Sequence, residues 1–117
     1  MNINVGLIVV SINWGNGQSF ALVNKDKDYI HIKEVNQCEQ PIDKAKIIFS
    51  RLSDLHEYWP IYRLLDVKIV NSEVYIIYSV SIPYDCNIND NSWVPSQSLI
   101  DQGQFSEFIN VAIQNIQ

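Results

Sequence analysis

Residues 62–70 and 74–82 are two strand-like runs on either side of Asn71-Ser72, and no other stretch of the chain constrains its fold so tightly. Side chains alternate along a strand, so Val74, Ile76, Tyr78, Val80 and Ile82 go to one side, and Tyr75, Ile77, Ser79 and Ser81 to the other. Neither set carries a charge. Such a strand belongs in the interior of a sheet, packed on both faces, and the two-residue connection makes it the second arm of a long hairpin.

The other segments supply partners for that hairpin. Residues 5–12 are rich in β-branched side chains and end at Asn13-Trp14-Gly15-Asn16-Gly17. The Gly and Asn there tolerate positive φ, which predicts a tight turn and a return strand over 19–24. Residues 25–28 read as a charged turn, after which Ile30 and Ile32 alternate with His31 and Lys33 in a half-buried strand. A helix is predicted over about 41–56. Pro41 fits a first helical position, Asp43 suits the positive end of the dipole, and Ala45, Ile48, Phe49, Leu52 and Leu55 recur on one face. Tyr58-Trp59-Pro60 ends it, because the residue before a proline is pushed out of the helical region. Residues 84–91 read as a polar loop, 92–95 as a short extended piece, and Ser96 as the N-cap of a single turn. Phe105, Phe108, Ile109, Ala112, Ile113 and Ile116 form a helical stripe that docks a last helix on the sheet. The expected class is α+β, a mixed β-sheet sandwiched between helices, in one domain over 1–117.

Charge narrows the partners. All eight Lys and Arg lie at or before Lys68, whereas five acids and no base follow Ile69. Duplex nucleic acid or an anionic membrane would meet a repulsive surface, since affinity for phosphate polymers needs clustered cations. A phosphate-bearing ligand has to be held by Lys25, Lys27, Lys33, Lys44, Lys46, Arg51 or Arg63. No run approaches the roughly 20 apolar residues of a membrane helix. Cys38 and Cys86 form no CxxC pair and read as reduced thiols; with no basic, cleavable leader at the N-terminus, the expected location is the cytoplasm.

Two short motifs carry a family resemblance. Glu39-Gln40-Pro41 resembles the Glu-x-Pro lead-in to the Nudix helix, and Ser92-Trp93-Val94-Pro95 with Ser98-Leu99 resembles the tryptophan-turn-leucine element before that family's last helix. Together with the order of elements they make the chain similar to the Nudix hydrolase fold along almost its whole length. The resemblance implies a box of Gly, five residues, Glu, seven residues, Arg-Glu-apolar, one residue, Glu-Glu, one residue, Gly-apolar. With Glu39 as the first glutamate, the opening glycine falls on Lys33, the Arg-Glu pair on Ile47 and Ile48, the Glu-Glu pair on Arg51 and Leu52, and the closing glycine on Asp54. Only Glu39, Phe49 and Leu55 match. In the family the glutamates bind Mg²⁺, which polarises a phosphoanhydride. Ile48, Arg51 and Leu52 cannot do this, so the scaffold is expected without its catalytic metal cluster, as a pseudoenzyme with a binding or regulatory role.

The expected cofactor list is therefore empty, with Mg²⁺ only for an enzyme whose ligands are regrouped as Glu39, Glu57, Asp85 and Asp90. No zinc or calcium motif competes: His31, Cys38, His56 and Cys86 have irregular spacing, and the Asp85, Asn87, Asn89 series lacks the glycine and terminal glutamate of a calcium loop. The candidate binding residues are Trp14, Ile47, Arg51, Tyr58 and Trp59. Trp14 and Trp59 fall at turns where an indole can stack on a base or a partner, whereas Trp93 is expected to staple the last turn. Ile47 lies about 200° from Ala45 around the helix, off the core stripe. Together these residues predict a protein partner or a small nucleotide-like ligand.

Overall fold

The computed structural model describes residues 2–52, 60–84 and 91–116. Its elements are β1 (Ile3–Asn13), β2 (Gln18–Val23), β3 (Ile30–Glu34), α1 (Pro41–Leu52), β4 (Arg63–Val70), β5 (Glu73–Ser81), β6 (Ser92–Pro95), one turn of 3₁₀ helix (Ser96–Leu99) and α2 (Glu107–Gln114). All six strands belong to one sheet in the order β4-β5-β1-β2-β6, with β3 also on β1.

β1 is long enough to serve two partners along one edge. Its N-terminal half pairs with β3 (Gly6 opposite Ile32) and its C-terminal half with β2 (Ser11 opposite Phe20), both antiparallel. The other edge carries β5 in parallel, from Ile3 opposite Val74 to Val10 opposite Ser81. A strand paired on both edges and covered on both faces excludes water along nearly its whole length, hence the β-branched run. Val5, Leu7, Ile8, Val9 and Val10 are all buried to within 1%. The β4–β5 hairpin turns at Asn71 and Ser72, with φ of 50° and 66°. Two positive φ values identify a type I′ turn, whose twist matches its strands.

Each face has its own core. On one, Val5, Leu7, Val9 and Leu22 pack against Ala45, Ile48, Phe49 and Leu52 of α1. On the other, Ile8, Val10, Ala21 and Ile77 pack against Phe105, Phe108, Ile109 and Ala112. This is the mixed sheet between helices that the hydrophobic pattern predicts.

Several expectations shift in detail. The described part of α1 ends at Leu52; Asp54, Leu55, His56, Glu57, Tyr58 and Trp59 lie outside the described residues, as do Asp85, Cys86, Asn87, Asn89 and Asp90. Ser96 is not an N-cap. Pro95 holds that position without a side-chain cap, and Ser96 Oγ instead pairs with Ser19 Oγ, tying the turn to β2. Phe105 precedes α2 rather than opening it. Phe108 N–H donates to Phe105 O and Ile109 N–H to Ser106 O, a three-residue spacing that winds the chain into the helix as a tight turn. Phe105 still buries its ring, with Tyr75 edge-on at 5.1 Å.

β4 is an outer strand, and Leu64, Val67 and Ile69 expose their side chains. A register shift interrupts it between Leu64 and Asp66, and the Asp66 carboxylate accepts the Val67 N–H at 2.7 Å. A bulge and a capped amide blunt an edge that would otherwise template another strand.

Candidate functional site

The site begins with a turn. Asn13 O accepts the N–H groups of Asn16 and Gly17 at 3.2 and 2.7 Å, and Asn13 Oδ1 accepts that of Gly15 at 3.0 Å. Asn16 Oδ1 accepts the Gln18 N–H at 2.9 Å, and Gly17 takes φ 73°. These local bonds fix the β1–β2 connection and hold Trp14 out, 75% exposed, at the end of the sheet.

Trp14 borders a cleft of about 380 Å³, with Asn13, Ser81, Pro83, Tyr84 and Ile116 among its walls. Tyr84 is fixed by its ring contact with Phe20, centroids 4.6 Å apart. Trp93 lies behind it at 6.3 Å, half-buried against the α1-side core, as expected for a staple. Ser81 and Ile116 also wall a second cleft of about 480 Å³, so the two adjoin along the ends of β1 and β5 and are treated together as one groove. The larger part is walled by Arg63, Ser79, Ser81, Ala112 and Asn115. Arg63 stands opposite Ser79 at the start of β4, and its guanidinium makes no hydrogen bond or ion pair among the described residues. The groove thus offers an aromatic plate at one end, a guanidinium at the other, and hydroxyl and amide groups between. No carboxylate lines it among the described residues.

The sequence candidates separate. Trp14 is in this groove. Ile47, 38% exposed, and Arg51 point outward from α1, which covers the opposite sheet face from α2. Tyr58 and Trp59, and with them the patch they were to form beside Ile47, lie outside the described residues. Arg63 is one of seven cations that could hold a phosphate by composition, and only the β4–β5 register singles it out. Ser81, Tyr84 and Asn115 carry no signal in the sequence.

Glu39, the one acid that matches the family box, is occupied. Its Oε2 lies 2.7 Å from Lys44 Nζ, and its Oε1 accepts the Asn36 N–H at 2.8 Å. The Lys44 hydrogen bond, then that backbone donor, hold its carboxyl below the usual range. Lys44 is buried, so this contact keeps its ammonium compensated. Ile48 and Leu52 are in the core. No three His, Cys, Asp or Glu side chains converge among the described residues. A divalent-ion site does not fit the described residues. His31, on the same face, is also structural. It is buried and its Nε2–H donates to Leu22 O at 3.2 Å. Burial lowers its pKa, opposed by that hydrogen bond and by Asp28.

Neither a family model nor a curated protein matches the sequence. Solved structures do. The NUDIX domain of Shewanella oneidensis NrtR, complexed with ADP ribose, superposes with a TM-score of 0.68 at 12% identity, covering 98% of this chain and 88% of that one. A Caenorhabditis elegans Ap4A hydrolase gives 0.59 at 11% identity, over 99% and 98% of the two chains. A binary complex of a C. elegans Ap4A hydrolase gives 0.57 at 11%, over 99% and 95%. At such low identity over nearly the full length, what is shared is the backbone arrangement: the chain has the Nudix fold.

Proposed function

We propose that this protein is a non-catalytic Nudix-like binding domain that holds a small nucleotide-like ligand in the groove at the ends of β1 and β5, with a regulatory role. The observation that carries this reading is the pairing, within one groove, of the exposed Trp14 indole with an Arg63 guanidinium that has no side-chain partner among the described residues. An indole accepts the face of a base, and a guanidinium accepts a phosphate in a planar fork. The similarity to a NUDIX domain solved with ADP ribose supports the ligand class. The groove's lack of described carboxylates, and the use of Glu39 to neutralise Lys44, support binding without cleavage. Cytoplasmic location fits the free thiol of Cys38, and no described helix is long and apolar enough to cross a membrane.

The alternative, a pyrophosphohydrolase, draws on the similarity to proteins named as Ap4A hydrolases and on Glu57, Asp85 and Asp90, which lie outside the described residues. Incubation with nucleoside triphosphates, ADP ribose and dinucleoside polyphosphates, with Mg²⁺ or Mn²⁺, separates the two readings. The expected result is a ligand-dependent rise in melting temperature and no product. Turnover that disappears on Glu57→Gln or Asp85→Asn would replace binding with hydrolysis.

A further inference from the structure

The groove's charges restrict its ligand further, an inference that rests on the binding function proposed above. All eight Lys and Arg belong to described residues, and Arg63 alone lines the groove. Lys44 is committed to Glu39, and Lys68 to Glu107 at 3.0 Å and Gln104 O at 2.6 Å. The C-terminal end of α2 reaches the groove through Ala112, Asn115 and Ile116, and the partial negative charge of a helix end opposes anions. The sequence adds no cation. One guanidinium can hold one phosphate by two parallel hydrogen bonds; a second phosphate would have no cation to meet.

Spacing gives the rest. Arg63 stands opposite Ser79, which pairs with Ile8 of β1. Asn13, beside Trp14, is five residues farther on, roughly 17 Å of strand, and β4 lies two strands from β1, about 10 Å across the sheet. A ligand that meets both residues has to run the length of the groove, past Ser81 and Ile116 where its two parts adjoin.

We infer that the groove selects a nucleoside monophosphate over its di- and triphosphate, with the base on Trp14 and the single phosphate on Arg63, without a bridging metal ion. Polyphosphate affinity at such a site would fall, because each added charge meets the α2 end with no second cation to offset it.

The test titrates the full-length chain by calorimetry with a nucleoside and its mono-, di- and triphosphate, and with ADP ribose as a pyrophosphate. Each runs in EDTA and again in Mg²⁺. The monophosphate is expected to bind tightest, with the same affinity in both buffers. Arg63→Ala should weaken it at least about tenfold, to the level of the nucleoside, because a hydrogen bond to a charged group is lost. Trp14→Ala should weaken nucleoside and monophosphate alike. Tighter binding of a di- or triphosphate or of ADP ribose, or a requirement for Mg²⁺, overturns this inference and leaves the binding function standing. No binding by any of them overturns the binding function itself.

Discussion

α1 lies along β1 and β3 and seals one face of the sheet, whereas α2 covers β1 and β4 on the other and leaves the strand ends open. On the α1 face, Ile48 and Leu52 are spent on packing and the acid at the helix entrance, Glu39, on a buried ammonium. On the α2 face the helix is only eight residues long, and beyond it the ends of β1 and β5 form a groove. The contrast teaches where function can reside. With Ile48 and Leu52 in the core, the inward face of α1 has no side chain left for chemistry, and a helix that stops early leaves a concave surface lined by the polar groups of strand ends.

The largest expected effects test the shared part of that comparison, the two cores. Phe49 is buried against α1's neighbours, with Tyr62 edge-on at 6.4 Å, and Ile109 is buried on the other face. Phe49→Ala should cost about 3–5 kcal/mol and Ile109→Ala about 2–5 kcal/mol, read as denaturant midpoints, because each opens a cavity in a close-packed layer. Either could unfold a domain that has only about 5–15 kcal/mol to lose. A cost below about 1 kcal/mol for either would show that its face is not a packed core.

A pH dependence should belong to the α1 side. His31 stands opposite Leu7, whose side chain is in the α1 core. Its folded pKa is lowered, so between that value and the ordinary value of about 6.5 the unfolded chain binds more protons than the folded one. Stability therefore rises with pH across that window, is complete above about 6.5, and is lost as the pH falls below it. Melts at pH 8 and pH 5.5 should differ in that direction, and His31→Gln should flatten the slope. Equal slopes for the two proteins would remove His31 as the cause.

The smallest stability effects are expected at the two outward side chains. Trp14→Ala and Ile47→Glu should each leave stability within about 0.5 kcal/mol, since neither empties a core position. They part in binding: Trp14→Ala should weaken the ligand, and Ile47→Glu should not, because α1 is across the sheet from α2. A severe loss of stability from Ile47→Glu would put Ile47 in the core and shift the phase of α1.

Much of this scaffold is legible in the residue order. The β4–β5 hairpin declares itself because period-two alternation and a two-residue connection are local, and α1 because its stripe and Pro41 are. The parallel pairing of β1 with β5 is not local: it joins residues about seventy positions apart, and nothing in either strand names the other. The groove inherits that blindness. Trp14 stands out because an indole in a Gly-Asn turn has no core to join, but Arg63 looks like any strand-end cation until Ser79 is set opposite it. Tyr84, Ser81 and Asn115 become neighbours only when the strand ends and α2 converge.

The central claim is that the groove at the ends of β1 and β5 binds the ligand and the outer face of α1 does not. Backbone amide shifts of the labelled full-length chain, followed while a nucleoside monophosphate is added, test it most directly. The account predicts saturable shifts at Trp14, Arg63, Ser81, Asn115 and Ile116, with Lys44, Ile47 and Arg51 unmoved. Shifts confined to the α1 residues, with the groove silent, would contradict it.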